Sequence, residues 1–291
     1  GYSGAIMNPF TVGMAQAIAD IQPMSGVGFR LICHAVMIIV ASVLLVRYAL
    51  KVQADPTKSY VYGDDFSHLA MNPDDVEKHP FGIREKLVLG VLAVGIVVIV
   101  WGVKVKGWYF EDLSGVFLIM GIISALIMGW GPDTIAKKMA ASFTDIAVAC
   151  MIIGFSRGIL VVLQSGHIID TIVYGISIPL TKFPAWIASE AMLVVQTLLN
   201  FLIPSGSGQA VTSMPIMAPL ADLVGVSRQV AVLAFQFGDG LSNIIWPTAM
   251  APIMCGIAGV KIEKWWKLVV PIFLALLVTQ GVLIAIATMV F

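Results

Sequence analysis

The sequence predicts an all-α integral membrane protein, a multi-span assembly that contains a helical hairpin and a broken helix. Three observations predict it. Only 12% of the 291 residues are charged and 59% are hydrophobic, about half the charged fraction of a water-soluble domain. Charge-free runs of close to twenty residues recur, and twenty residues at about 1.5 Å each cross roughly 30 Å of hydrocarbon. Two apolar stretches are interrupted by clusters of Gly, Ser, Asp and Asn, residues that helix interiors disfavour. The composition also excludes other classes. With 17 basic and 17 acidic side chains there is no electrostatic footprint for nucleic acid, and the apolar content excludes disorder.

Taken in order, residues 1–51 open inside a glycine-rich apolar phrase, which reads as the later part of a longer polypeptide, and continue into a span over Leu31–Leu50 bracketed by Arg30 and Lys51. Residues 52–86 hold 11 of the 34 charged residues together with Pro56, Pro73 and Pro80. This is a polar linker in water. Residues 87–103 and 113–131 are the next spans, the second with Gly121, Ala125 and Gly129 spaced to let another helix approach. Residues 132–143 are too short to cross and pattern as an interfacial helix. Spans follow at 146–163 and, after the interrupted segments, at 268–291. Lys and Arg counts place the linker in the cytoplasm, with eleven basic residues on its side against five opposite, and put the C-terminus outside.

The interrupted segments carry the functional expectation. Ala185–Ile203 is helical in pattern, Pro204-Ser-Gly-Ser-Gly208 breaks it, and a second arm runs on to residue 224. This 185–224 hairpin is either re-entrant or two full spans, since nineteen residues are enough to cross. Its first arm has a polar side of Ser189, Glu190, Gln196, Thr197 and Asn200. Within the span 228–258, Gly238-Asp-Gly-Leu-Ser-Asn243 predicts a break, with one half-helix ending near Phe237 and the next starting near Asn243. Irregular backbone at membrane depth survives only against protein or a wet cavity, so a break marks a site. Free carbonyls at one helix end suit a cation, and free amides at the other suit a carboxylate. Asp239 adds negative charge or caps the second half-helix. Ser242, Asn243 and Thr248 add neutral oxygens, and Ser205, Gly206, Ser207 and Gly208 form an uncharged tip of the nest type. A Na⁺ site is expected at Ser205, Ser207, Gly238 and Asn243, with H⁺ as the other candidate coupling ion.

Arg157 is the strong base deep in a span, and either binds a substrate carboxylate or pairs with Glu190 or Asp170. Cys33, Cys150 and Cys255 stand apart in apolar runs, neither a disulfide framework nor a metal signature. His34 reads as an interfacial hydrogen-bonding histidine. The sequence holds no H-E-x-x-H, G-x-S-x-G or Walker loop, so neither an enzyme nor an ATP-driven pump is predicted, and no cofactor is expected.

Asn8-Pro-Phe-Thr-Val-Gly-Met-Ala-Gln16, Ile203-Pro-Ser-Gly-Ser-Gly-Gln-Ala210 and Phe237-Gly-Asp-Gly-Leu-Ser-Asn243 with Trp246-Pro-Thr248 resemble carriers of the YfcC type, in the C4-dicarboxylate anaerobic carrier-like (DcuC) group of the ion transporter superfamily. The resemblance covers essentially the whole chain. It implies a two-repeat inverted fold of re-entrant hairpins and broken helices, of which this chain would hold the end of the first repeat (residues 1–51, Asn8 its site residue) and the complete second (87–291). It further implies alternating-access secondary transport in a bacterial inner membrane, with a small carboxylate-bearing solute as substrate. An amino acid leads, basic amino acid antiport or ion-coupled uptake included, with C4-dicarboxylates or short peptides as alternatives and a channel or membrane-embedded hydrolase as rivals of another class. The lipid bilayer and a second copy of the chain are the expected partners.

Overall fold

A computed structural model describes residues 2–22, 25–67, 81–108 and 110–291, and among these there is no strand. The chain divides into two units, residues 1–64 with 148–291, and residues 65–147.

In the larger unit, a π-helical turn at Pro9–Gly13 leads into the short α1 (Met14–Ile18), and α2 runs from Val27 to Ala54. Asp55 ends α2 and accepts from the Thr57 hydroxyl and amide at 2.6 and 3.1 Å. Those bonds, with Lys58 at 3.2 Å, hold its carboxyl below the usual aspartate range. The smaller unit carries α3 (Ile83–Trp101) and α4 (Phe110–Ile127). Their close approach is made by Gly95, where a Cβ would lie 2.2 Å from the Met120 sulfur. Nothing lies within 4 Å of the Cβ position of Gly121, whose spacing had pointed to that role. The interfacial helix 132–143 and the span 146–163 are not separate: α5 is one helix from Pro132 to Ser165. No proline or glycine falls between residues 140 and 150, so nothing interrupts the backbone ladder there. A further helix, α6 (Ile168–Leu180), follows where no element was expected, its Pro179 confined to the last turn.

The core is built by α7 (Ala185–Leu202), α8 (Gly206–Leu223), α9 (Arg228–Ser242) and α11 (Ile262–Val290), with the short α10 (Met250–Ala258) between the last two. Pro184 precedes α7, where a missing amide costs nothing. Ser227 caps α9 by accepting from the Val230 amide at 3.4 Å. From Val230 to Ser242 every residue of α9 is buried, whereas α2 shows Leu31, Ile32, Ile39, Val46 and Leu50 on its outside. Among the described residues, α2, α7 and α11 are long and apolar enough to cross a membrane. Lipid tails compete for apolar surface as well as another helix does, so association of such helices rests on close packing and polar contacts.

The break in 228–258 is displaced. Residues 238–242 continue α9 as regular helix, and the interruption occupies 243–249, before α10. The glycines that pointed to a break serve contact instead. A Cβ on Gly238 would lie 2.7 Å from the Gln196 Cβ and the Thr197 amide nitrogen of α7, and one on Gly240 would lie 2.4 Å from the Ser3 Cα. Each glycine costs roughly 1 kcal/mol of helix propensity and admits a neighbouring backbone that no side chain would tolerate. Asp239 is therefore not the cap of the second half-helix, which begins at Met250 behind Ala249.

Candidate functional site

Asp239 lies between those two contacts, completely buried. Its main-chain oxygen accepts from Asn200 Nδ2 at 3.1 Å and Asn243 Nδ2 at 2.8 Å. Asn200 also donates to the Ser242 hydroxyl at 2.8 Å, and Ser242 donates to the Gly238 carbonyl at 2.5 Å. The carboxylate turns the other way. Its Oδ2 lies 3.2 Å from the Cβ position of Gly206, the first residue of α8, a position also crowded by the Tyr2 hydroxyl and Thr11. Ser205 caps α8, accepting from the Gly208 amide at 3.3 Å, so the amides of the first turn present the positive end of an eighteen-residue helix to Asp239. The Tyr2 hydroxyl is the hydrogen-bonding neighbour of the carboxylate.

The helices packed on and around α9 carry several buried amides. Gln236 Nε2 donates to the Tyr2 carbonyl at 2.7 Å, and Gln280 Nε2 to the Phe237 carbonyl at 3.2 Å and the Ser3 hydroxyl at 2.6 Å. Gln209 Nε2 donates to the Gln196 carbonyl at 2.8 Å. A carbonyl partner accepts only from the NH₂ end of an amide, so these bonds settle which way each side chain points. The oxygens are then left over: Asn200 Oδ1, Gln209 Oε1, Gln236 Oε1 and Gln280 Oε1 are buried without a donor. Against these four acceptors and the buried Asp239 carboxylate stand one orphan amide donor, Gln196 Nε2, and the Thr11 hydroxyl. Buried polar atoms are satisfied in native proteins or mark a place where something binds. An acceptor excess calls for a donor-bearing or cationic guest.

The hairpin tip, Asp239, Asn200, Ser242 and Asn243 thus come together, joined by the 2–13 segment. Asn8 lies in that segment and uses its Oδ1 to accept from the Phe10 amide at 2.9 Å, closing an Asx turn. Thr248 is drawn elsewhere, donating to the Phe201 carbonyl at the end of α7 at 2.7 Å. Of the residues expected to hold Na⁺, Gly238 packs on α7 and its carbonyl accepts from Ser242, Asn243 donates to the Asp239 carbonyl, and Ser205 and Ser207 flank Gly206, whose Cβ position faces Asp239. Among the described residues no group of three His, Cys, Asp or Glu could hold a metal. Glu190 is half-buried against Gly281 of α11, more than two turns from Asn200 along α7. The side chains of Arg157 and Asp170 lie outside the described residues.

Sequence reasoning passed over the glutamines of α8, α9 and α11. A signal was present for two of them: Gln236 and Gln280 stand in largely apolar stretches of α9 and α11, and polar groups there are costly unless used. Trp265 and Trp266, at the start of α11, donate to the consecutive carbonyls of Ile244 and Ile245 at 2.8 and 2.9 Å, and Trp246 donates to the Thr197 carbonyl at 2.7 Å. These indoles satisfy the backbone of the 243–249 interruption. Trp265→Phe and Trp266→Phe each orphan one carbonyl, expected to cost about 1–3 kcal/mol, read as a lower unfolding midpoint in detergent. An unchanged midpoint for both would mean that water replaces the indoles.

The chain matches the C4-dicarboxylate anaerobic carrier (DcuC) family over residues 1–289. It is 35% identical over 280 residues, covering 92% of this chain and 55% of the relative, to YfcC of Escherichia coli (strain K12), which bears the provisional designation of a basic amino acid antiporter. It is 33% identical over 289 residues, 98% of this chain and 57% of the relative, to an uncharacterized protein of Haemophilus influenzae (strain ATCC 51907 / DSM 11121 / KW20 / Rd). The chain therefore spans little more than half the length of these relatives. No solved structure matches it. A family match over nearly every residue, on a chain whose described residues include helices long and apolar enough to cross a membrane, shows the family: the chain belongs to the C4-dicarboxylate anaerobic carrier family.

Proposed function

We propose that this chain forms the substrate- and ion-binding half of a secondary transporter for a basic amino acid, working by alternating access in a bacterial inner membrane, with residues 52–86 cytoplasmic and the C-terminus outside. The observation that supports this reading is the excess of buried acceptors: four amide oxygens without donors together with the buried Asp239 carboxylate. A guanidinium or ammonium group brings several donors and no acceptor, and a coupling cation, H⁺ or Na⁺, would answer the same excess. A C4-dicarboxylate would add acceptors where acceptors already lack partners, so the family's name is the weaker guide to the solute here. The designation of the Escherichia coli relative agrees with a basic solute. The 185–224 hairpin acts as a re-entrant element whose tip meets Asp239, and residues 87–291 act as one repeat of an inverted pair, half-helix ends serving the ion and the substrate. A homodimer built on the smaller unit completes the proposal.

The test is counterflow into proteoliposomes bearing the full-length protein. Preloading with L-arginine or L-ornithine is expected to stimulate uptake of labelled L-arginine, and preloading with succinate is not. Saturable exchange separates a carrier from a channel. Stimulation by succinate alone would reverse the assignment of the solute.

A further inference from the structure

A second buried polar group lies at the opposite end of α9. Arg30, in the first turn of α2, is only 3% exposed. Its Nη2 donates to Gln229 Oε1 at 3.1 Å, while Nε and Nη1 are buried without an acceptor. The ion pairs among the described residues are Lys58–Asp55, Arg228–Asp222 and Lys264–Asp64, and none involves Arg30. Its surroundings are neutral and already committed. Gln229 Oε1 also faces Gln16 Nε2 at 3.5 Å, Gln229 Nε2 donates to the Ser25 hydroxyl, and Ser25 passes its own proton to the Gln22 carbonyl at 2.6 Å. The first amides of α2 add to the donors, because its N-cap, Gly26, has a left-handed backbone (φ +72°) and no capping side chain. That glycine is seated against Gln229, whose amide would stand 3.4 Å from a Cβ.

Donors therefore outnumber acceptors here, the reverse of the balance around Asp239. A guanidinium cannot shed its proton and is expensive to bury unpaired. An oxyanion with several lone pairs meets both demands. Gln229 and Asp239 are ten residues apart on α9, about 15 Å of rise, so one small amino acid does not touch both ends. We propose that Arg30 and the start of α2 form a separate subsite for a carboxylate. Resting on the transport reading above, this carboxylate is that of the solute, held before or after it reaches Asp239. The other source of the same chemistry is an acidic side chain from outside the described residues.

The test is ligand-induced thermal stabilisation of the full-length protein, comparing wild type with Arg30→Gln and Arg30→Lys. The probes are L-arginine, agmatine (the same cation without the carboxylate), acetate and succinate. A solute carboxylate at Arg30 predicts that Arg30→Gln weakens the response to L-arginine by about tenfold or more, leaving that to agmatine unchanged. An internal acidic partner predicts no response of wild type to free carboxylates, a lower midpoint for Arg30→Gln, and recovery in Arg30→Lys. Should Arg30→Gln fail to fold, Arg30→Lys carries the test, since a point charge lacking the planar fork binds a carboxylate less well. Arg30→Gln with wild-type midpoint and wild-type responses overturns the subsite. So does an undiminished L-arginine response in Arg30→Lys when Arg30→Gln does not fold. Failure of L-arginine counterflow with a surviving Arg30-dependent acetate or succinate response would sink the solute assignment and leave the subsite standing.

Discussion

Gly240→Ala is expected to abolish transport and to lower the unfolding midpoint of the full-length protein. The added methyl group would meet the Ser3 Cα at 2.4 Å and its backbone nitrogen at 2.9 Å, and main-chain atoms cannot rotate aside. Overpacking typically costs 1–3 kcal/mol, and this contact is expected at or above the top of that range. Gly238→Ala should behave alike, since it drives into the Thr197 amide and the Gln196 Cβ at 2.7 Å. Gly121→Ala is the internal control. Nothing lies within 4 Å of that position, so the substitution should gain about 0.4–1 kcal/mol from the reduced freedom of the unfolded chain. If Gly240→Ala melts like wild type and transports, the 2–13 segment does not pack on α9 as described.

Asp239→Asn is expected to reduce exchange at least about 100-fold without lowering the unfolding midpoint, because it deletes a fully buried charge that has no ion-pair partner among the described residues, while an amide oxygen still accepts from Tyr2. Asp239→Leu should also fold and be equally inactive, its apolar side chain removing the buried charge altogether. Counterflow supplies the first readout and thermal unfolding the second. The two outcomes that contradict the site are distinct. Normal exchange by Asp239→Asn would show that the carboxylate is a bystander, and a large loss of stability would show that it has a structural partner.

Both predictions turn on a six-residue phrase whose importance was legible before its geometry was. Gly238-Asp-Gly-Leu-Ser-Asn243 stood out because polar and flexible residues are out of place in a span, and its first five residues are buried within α9. The inference from two glycines to a broken helix did not hold, because glycine's absent side chain serves a second purpose, letting Gln196, Thr197 and Ser3 come within reach. Thr248 was grouped with Asp239 by nearness along the chain, but the displaced interruption carries it to the end of α7. Arg30 read as a charge flanking a span, and only its burial and its unpartnered nitrogens distinguish it from one.

Composition and pattern by themselves determined the apolar surroundings, the helical class and the long apolar helices α2 and α11, because each follows from transfer energies and backbone hydrogen bonding within one segment. Where the helix ends, which amide oxygens find no donor, and which charges are left alone depend on atoms from segments up to 277 residues apart, as in the bond from Gln280 to Ser3. Those are properties of a packed neighbourhood, since an acceptor is an orphan only by virtue of what surrounds it, and that the fold alone decides.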